Sequence, residues 1–149
     1  MQRKRWSEFS SQQLGRYAEL FAKMEFMAYG YDIYTPEVDD HGVDFLAGKR
    51  DKEFLAIQVK SVNNYNYSFI RKNNIILDKN HIVAYVRFED NKPPQLYLIP
   101  STVWKKPNEL FVSYDYSENG QTSKPEFGIR IAKCRLHMLE KFKAENVLI

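Results

Sequence analysis

The chain has 149 residues, 44% hydrophobic and 28% charged, with a formal net charge of +3. That length closes one core and that balance excludes a disordered chain, while the positive excess permits a nucleic-acid partner without requiring one. A single cysteine, Cys134, excludes an intramolecular disulfide, and the basic N-terminus leads into no apolar run of a secretory signal or membrane span. The expectation is one domain, 1–149, of a cytoplasmic protein.

From Ser7 to Tyr29 the pattern is helical. Leu14, Tyr17, Phe21, Met24 and Ala28 recur at three- and four-residue steps, and Gly30 suits the stop. A narrower second face carries Gly15, Ala18, Ala22 and Phe26. "YDIYTP" reads as a strand closed by Pro36, and "EVDDHG" as a turn-rich link. "VDFLAG" and "EFLAIQVKS" read as two strands joined by the charged turn "KRDK", so they should pair as a hairpin. "VNNYNYSFIRKNN" is polar and aromatic, a loop or a strand edge. "HIVAYVRF" and "QLYLIP" are two further strands joined by "EDNKPP". Pro100 to Trp104 suggests a short helix capped by Ser101. "ELFVSYDY" and "EFGIRIA" are late strands around a polar loop, and a C-terminal helix spans Lys133 to Glu145, with Cys134 a buried bystander in it. A helix, a run of strands and a helix predict an α/β (α+β) fold, a central mixed sheet flanked by helices.

Strand alternation puts Ala56, Gln58 and Lys60 on one face, Ile57 and Val59 on the other. If the hairpin forms, Asp44 lies beside Gln58 and Lys60, three polar groups on strands that otherwise read as core. A buried carboxylate and ammonium are costly unless they pair or bind a metal. Two readings follow: a strand-end ion pair with a solvent-facing glutamine, or a site. On the helix, Glu19 projects beside the small residues, which suit close approach to a sheet; Glu25 is its rival.

The pieces Gly15-x-x-x-Glu19, Gly30, Pro36, Gly42-x-Asp44 and Gln58-x-Lys60-Ser61 occur in this order. Between Leu14 and Ser61 the chain resembles the PD-(D/E)XK nuclease superfamily, the restriction-endonuclease-like fold, in a Gln-x-Lys variant. The resemblance favours Glu19 over Glu25 and implies a Mg²⁺-dependent (alternatively Mn²⁺-dependent) endonuclease acting on DNA. It implies that Asp44 binds the ion, that Gln58 and the carbonyl of Val59 fill further oxygen positions, and that Glu19 holds the metal directly or through water. Lys60 then orients the attacking water and offsets phosphate charge, or serves as base if the site depresses its pKa. The usual residue at position 58 is an acid. Glutamine removes one negative charge and coordinates a hard cation more weakly. That keeps a rival open, a nucleic-acid-binding or interaction module with reduced catalysis. A generic α+β protein with a structural ion pair is a second. Cutting two strands with one site per domain suggests a homodimer.

In "NYNYSFIRKNN", Tyr65, Tyr67 and Phe69 interleave with Arg71 and Lys72; such rings stack on bases and such cations hold phosphates, although a solvated edge strand has the same pattern. His41 reads as a turn residue. His81 and His137 have no partner at metal-ligand spacing, and there is no phosphate-binding glycine loop. Lys105, Lys106, Lys133 and Arg135 read as surface charges, and Trp104 as core or interface.

Overall fold

The computed structural model describes residues 3–38 and 41–148, so the link from Glu37 to Gly42 lies partly outside the described residues. Helix α1 spans Ser11–Ala28, after a separate 3-10 turn over Trp6–Glu8. The start is later than the periodicity predicts because Ser10 is the cap. Its hydroxyl accepts from the Gln13 N–H at 3.1 Å, and the Gln13 side chain accepts from the Ser10 N–H at 2.9 Å. At the other end Gly30 takes φ +88°, and the Lys49 ammonium donates to the Tyr29 carbonyl at 2.8 Å.

The core face of α1 is Leu14, Ala18, Ala22 and Phe26. Met24, expected in the apolar stripe, is 58% exposed. The smaller face wins because the sheet supplies the bulk: Phe45, Ile57 and Phe88 fill the layer, and alanines let the helix axis approach them.

The strands are β1 (Asp32–Tyr34), β2 (Phe45–Gly48), β3 (Leu55–Asn63), β4 (Ser68–Arg71), β5 (His81–Phe88), β6 (Gln95–Pro100), β7 (Phe111–Tyr114) and β8 (Glu126–Ile129). Five of them form a mixed sheet in the order β1-β2-β3-β5-β6. The predicted hairpin is present: β2 and β3 pair antiparallel with Phe45 opposite Ile57. β3 then runs parallel to β5, from Ala56 beside His81 to Asn63 beside Phe88. The remaining strands form a second sheet, β4-β8-β7, which the sequence pattern does not separate from the first. Its strands are four residues each. Their alternation is too brief to say which partner they choose.

Each face of the main sheet closes a core. α1 covers Ile57, Ala84, Val86 and Leu98 on one side. On the other, Val83, Tyr85, Tyr97 and Ile99 pack with Phe111, Phe127, Trp104 and Leu139. The predicted C-terminal helix is instead a 3-10 run over Lys133–Phe142 followed by α2 (Ala144–Val147). Lys143 adopts an extended backbone and bridges Tyr97 between them, which interrupts the helical ladder. Cys134 on this run is exposed rather than buried. Ser101 is not a cap either. It is fully buried, donates to the Ile76 carbonyl at 2.7 Å and accepts from the Asp78 N–H at 3.0 Å.

Candidate active site

Ile57 and Val59 pack toward α1. Gln58 and Lys60 stand in register with Val83 and Tyr85, which belong to the opposite core, so both project to that second face. The Asp44 N–H donates to the Ile57 carbonyl at 2.8 Å and extends the hairpin one residue beyond β2. Phe45 is already the partner of Ile57, so Asp44 departs from plain strand alternation there, and its carboxylate is placed by a side-chain bond. Its Oδ2 turns to the strand edge and accepts from the Val59 N–H at 2.7 Å. All three residues are half-buried.

Gly42 shapes this margin. It takes φ +77°, and a Cβ there would meet the Asn74 carbonyl at 2.8 Å and the Gln58 amide nitrogen at 3.1 Å. Only glycine lets the backbone turn into Asp44 while the Gln58 amide lies against it. The 3-10 turn Lys72–Asn74 closes the space behind.

Lys60 has its pKa lowered. Burial disfavours the ammonium, and the charge of Asp44 opposes that shift without cancelling it. A lysine with depressed pKa beside a carboxylate at a strand margin is suited to hold or release a proton.

Glu19 is placed apart. Its carboxylate pairs with Lys23 at 3.0 Å and Arg16 at 3.5 Å, all on α1. The helix lies over the face opposite Gln58 and Lys60. The Lys23 ammonium sits 5.8 Å from the Phe45 ring centre, which brings the Glu19–Lys23 pair to the neighbour of Asp44 but leaves Glu19 in contact with its own helix. Glu25 lines a hollow with Phe21, Tyr29 and Lys143, away from Asp44. Among the described residues no group of three His, Cys, Asp or Glu stands where it could hold a metal ion. Among the described residues the donors at this margin are one carboxylate and one amide, Asp44 and Gln58. That set fits a hard cation that keeps most of its water, as Mg²⁺ does, and does not fit a dry all-protein cage.

The aromatic–basic stretch is β4 and its flanks. Tyr65, Tyr67 and Phe69 are exposed rings. The Tyr67 hydroxyl donates to Glu126 at 2.6 Å, and Arg71 contacts the other oxygen of that buried carboxylate at 3.4 Å and the Lys124 carbonyl at 2.9 Å. Lys72 donates to Asp115 at 2.7 Å and Ser113 at 2.6 Å. The rings face solvent, whereas both cations have intramolecular partners.

His41 is exposed beside Gly42. His81 pairs through Nδ1 with Asp78 at 2.7 Å, a tie within one turn. Trp104 is core, its indole N–H donating to the Gly128 carbonyl at 3.1 Å. Motif spacing does not pick out Arg87, although an arginine inside the apolar run "HIVAYVRF" is a signal in itself: it is buried.

No protein-family model and no curated protein matches the sequence. The structure is similar to that of a bacterial homing endonuclease, with a TM-score of 0.54 and 15% identity over 93% of this chain and 92% of that one. It is also similar to a Holliday junction resolvase from the archaeal hyperthermophile Archaeoglobus fulgidus, with a TM-score of 0.47 and 12% identity over 78% of this chain and 83% of that one. The fold is restriction-endonuclease-like, a mixed sheet flanked by helices.

Proposed function

We propose that this chain is a single-domain, cytoplasmic endonuclease that hydrolyses DNA phosphodiester bonds with Mg²⁺, or Mn²⁺ in its place. What supports the reading is the Asp44 carboxylate on the Val59 N–H, between Gln58 and Lys60, close enough for its charge to act on the half-buried Lys60 ammonium. Asp44 and Gln58 would hold the ion, the Val59 carbonyl adding a further oxygen; Glu19, paired with Lys23 and Arg16 on the helix over the other face, would not. When bound, the ion supplies a Lewis acid that offsets phosphate charge and acidifies water.

The chain's own residues do the rest. Asp44, fixed by the Val59 N–H, keeps its negative charge at one orientation. Gln58, lodged against Gly42, presents its amide without a second negative charge. Lys60 as the neutral amine takes a proton from the attacking water while the water oxygen bonds to phosphorus. The bond from phosphorus to the leaving oxygen breaks, and that oxygen takes a proton from solvent. Lys60 as the ammonium then stabilises the added phosphate charge. The exposed rings of Tyr65 and Tyr67 offer stacking surfaces for unpaired bases, with Arg71 and Lys72 beside them. A second copy supplies the second cut in a duplex.

Nicking of supercoiled DNA in Mg²⁺ tests the reading, with Asp44→Asn as the variant. Nicking by the wild-type chain that persists in Asp44→Asn removes Asp44 from the chemistry. One observation favours the binding-module reading: Glu19 is engaged by Lys23 and Arg16, which leaves Asp44 as the carboxylate at the site among the described residues. DNA binding with no cleavage in either Mg²⁺ or Mn²⁺ selects that reading.

A further inference from the structure

We propose that the DNA backbone flanking the candidate site is held on a cationic track built around buried Arg87 and continuing to Arg3–Arg5. The proposal rests on the nuclease reading and extends it to the duplex contacts that the interleaved stretch on β4 does not supply.

Arg87 lies on β5, on the face that carries Lys60, beside Val62. That is two residues, about 7 Å, further along the sheet. Its side chain is 5% exposed. Nε donates to the Asn64 carbonyl at 3.1 Å, and the Tyr65 ring centre lies 4.8 Å from the guanidinium carbon. The carboxylate it meets, Glu89, stands at 3.5 Å, and Nη2 is buried with no hydrogen-bond partner among the described residues. A buried guanidinium so weakly paired is costly unless negative charge from outside the chain offsets it.

The surroundings lack that charge. A groove of about 650 Å³ is lined by Arg87, Lys92, Lys133 and Lys143 together with Glu89 and Glu140. Each carboxylate already has a lysine: Glu89 pairs with Lys92 at 3.1 Å and Glu140 with Lys143 at 3.0 Å. Arg87 and Lys133 remain as the excess. Lys92 also lines the adjoining hollow formed by Arg3, Lys4 and Arg5. The Trp6 indole donates to the Lys92 carbonyl at 2.9 Å, and Arg3 lies over the Trp6 ring at 5.2 Å, which fixes the N-terminal cations beside the groove. The two hollows share a wall and make one positive band. Polyphosphate chemistry fits it, because a DNA strand presents one charge per 3.4 Å of helix axis.

The test is fluorescence anisotropy of a labelled duplex without divalent ions, with log K plotted against log NaCl concentration. Lys4→Gln/Lys133→Gln alters two exposed residues of the band and is expected to lower the slope by about 1.8, at 0.9 per lost phosphate contact. The control, Arg50→Gln/Lys52→Gln, removes the same charge at the exposed β2–β3 turn, beyond the end of β3 remote from Arg87, and is expected to leave the slope unchanged. An unchanged slope in the first variant, an equal fall in the control, or no duplex binding by the wild-type chain at low salt overturns the track. Calorimetric binding of inorganic phosphate, combined with an unchanged DNA slope, replaces it with a small-anion pocket. Cleavage does not enter these measurements. A lowered slope in a chain that never nicks DNA therefore overturns the nuclease reading and leaves the track standing, and nicking lost in Asp44→Asn with an unchanged slope does the reverse.

Discussion

The Asp44 carboxylate accepts the Val59 N–H at 2.7 Å, across the margin where β2 leaves β3. The proposed metal ligand is therefore also a backbone acceptor. Asp44→Ala leaves a half-buried N–H unmet and should cost about 1–3 kcal/mol in urea denaturation. Asp44→Asn keeps an acceptor oxygen and should fold close to wild type, while losing about 10²-fold or more in cleavage. Equal stability of the Ala and wild-type proteins would contradict the hydrogen bond.

Gln58→Glu adds the charge that the amide lacks. A full charge attracts a hard cation better than a dipole, so Mg²⁺ binding should tighten by about tenfold. Calorimetric titration of both proteins checks it. Equal affinities place residue 58 away from the ion. Lys60 gains an anion nearby in the same variant, which raises its pKa and makes it a poorer base, so turnover need not follow binding.

Lys60 carries a pH prediction. Its folded pKa is below its ordinary value of 10.5 because burial penalises the ammonium. Stability from such a group is fully present above the unfolded pKa and is lost as pH falls through the folded one. Lys60→Met should therefore melt above wild type at pH 7, with the gap narrowing toward pH 10.5. Lys60→Arg keeps the charge but cannot release a proton at working pH, so a general-base role loses about 10²–10⁴-fold in cleavage. Retained cleavage in the Arg variant leaves Lys60 a charge-stabilising role alone.

Tyr67 has its pKa raised, by burial first and by its hydrogen bond to Glu126 next. The hydroxyl is a structural donor to a carboxylate that is 5% exposed. Tyr67→Phe should cost about 1–3 kcal/mol by leaving that acceptor short of a donor. The ring is kept, so DNA affinity should not change. A loss of affinity at unchanged stability would mean that the hydroxyl meets the nucleic acid instead.

The hairpin β2–β3 is legible in the sequence because its two strands alternate clearly and a charged turn joins them. The same alternation assigns Gln58 and Lys60 to one face. The capping box at Ser10 is equally local, yet the expected start at Ser7 lies ahead of that cap, because periodicity does not mark where the first turn closes. Glu19 shows the opposite case. Spacing on a helix says which residues are neighbours, not whether a carboxylate prefers Lys23 and Arg16 to the end of a sheet.

Local chemistry, residue by residue, is enough for the mixed sheet, the parity of Gln58 and Lys60, and the requirement for glycine at the end of α1. Those depend on periods of two and of 3.6 residues, and on backbone sterics, which act over a few positions. Long-range packing settles the rest. β4, β7 and β8 leave the main sheet for one of their own, Lys143 breaks a helix to bridge Tyr97, and Arg87 goes inside with Glu89 as a distant partner. Each of these joins residues far apart in the chain or weighs burial against pairing, and the energy of such contacts exists only once the layers have closed.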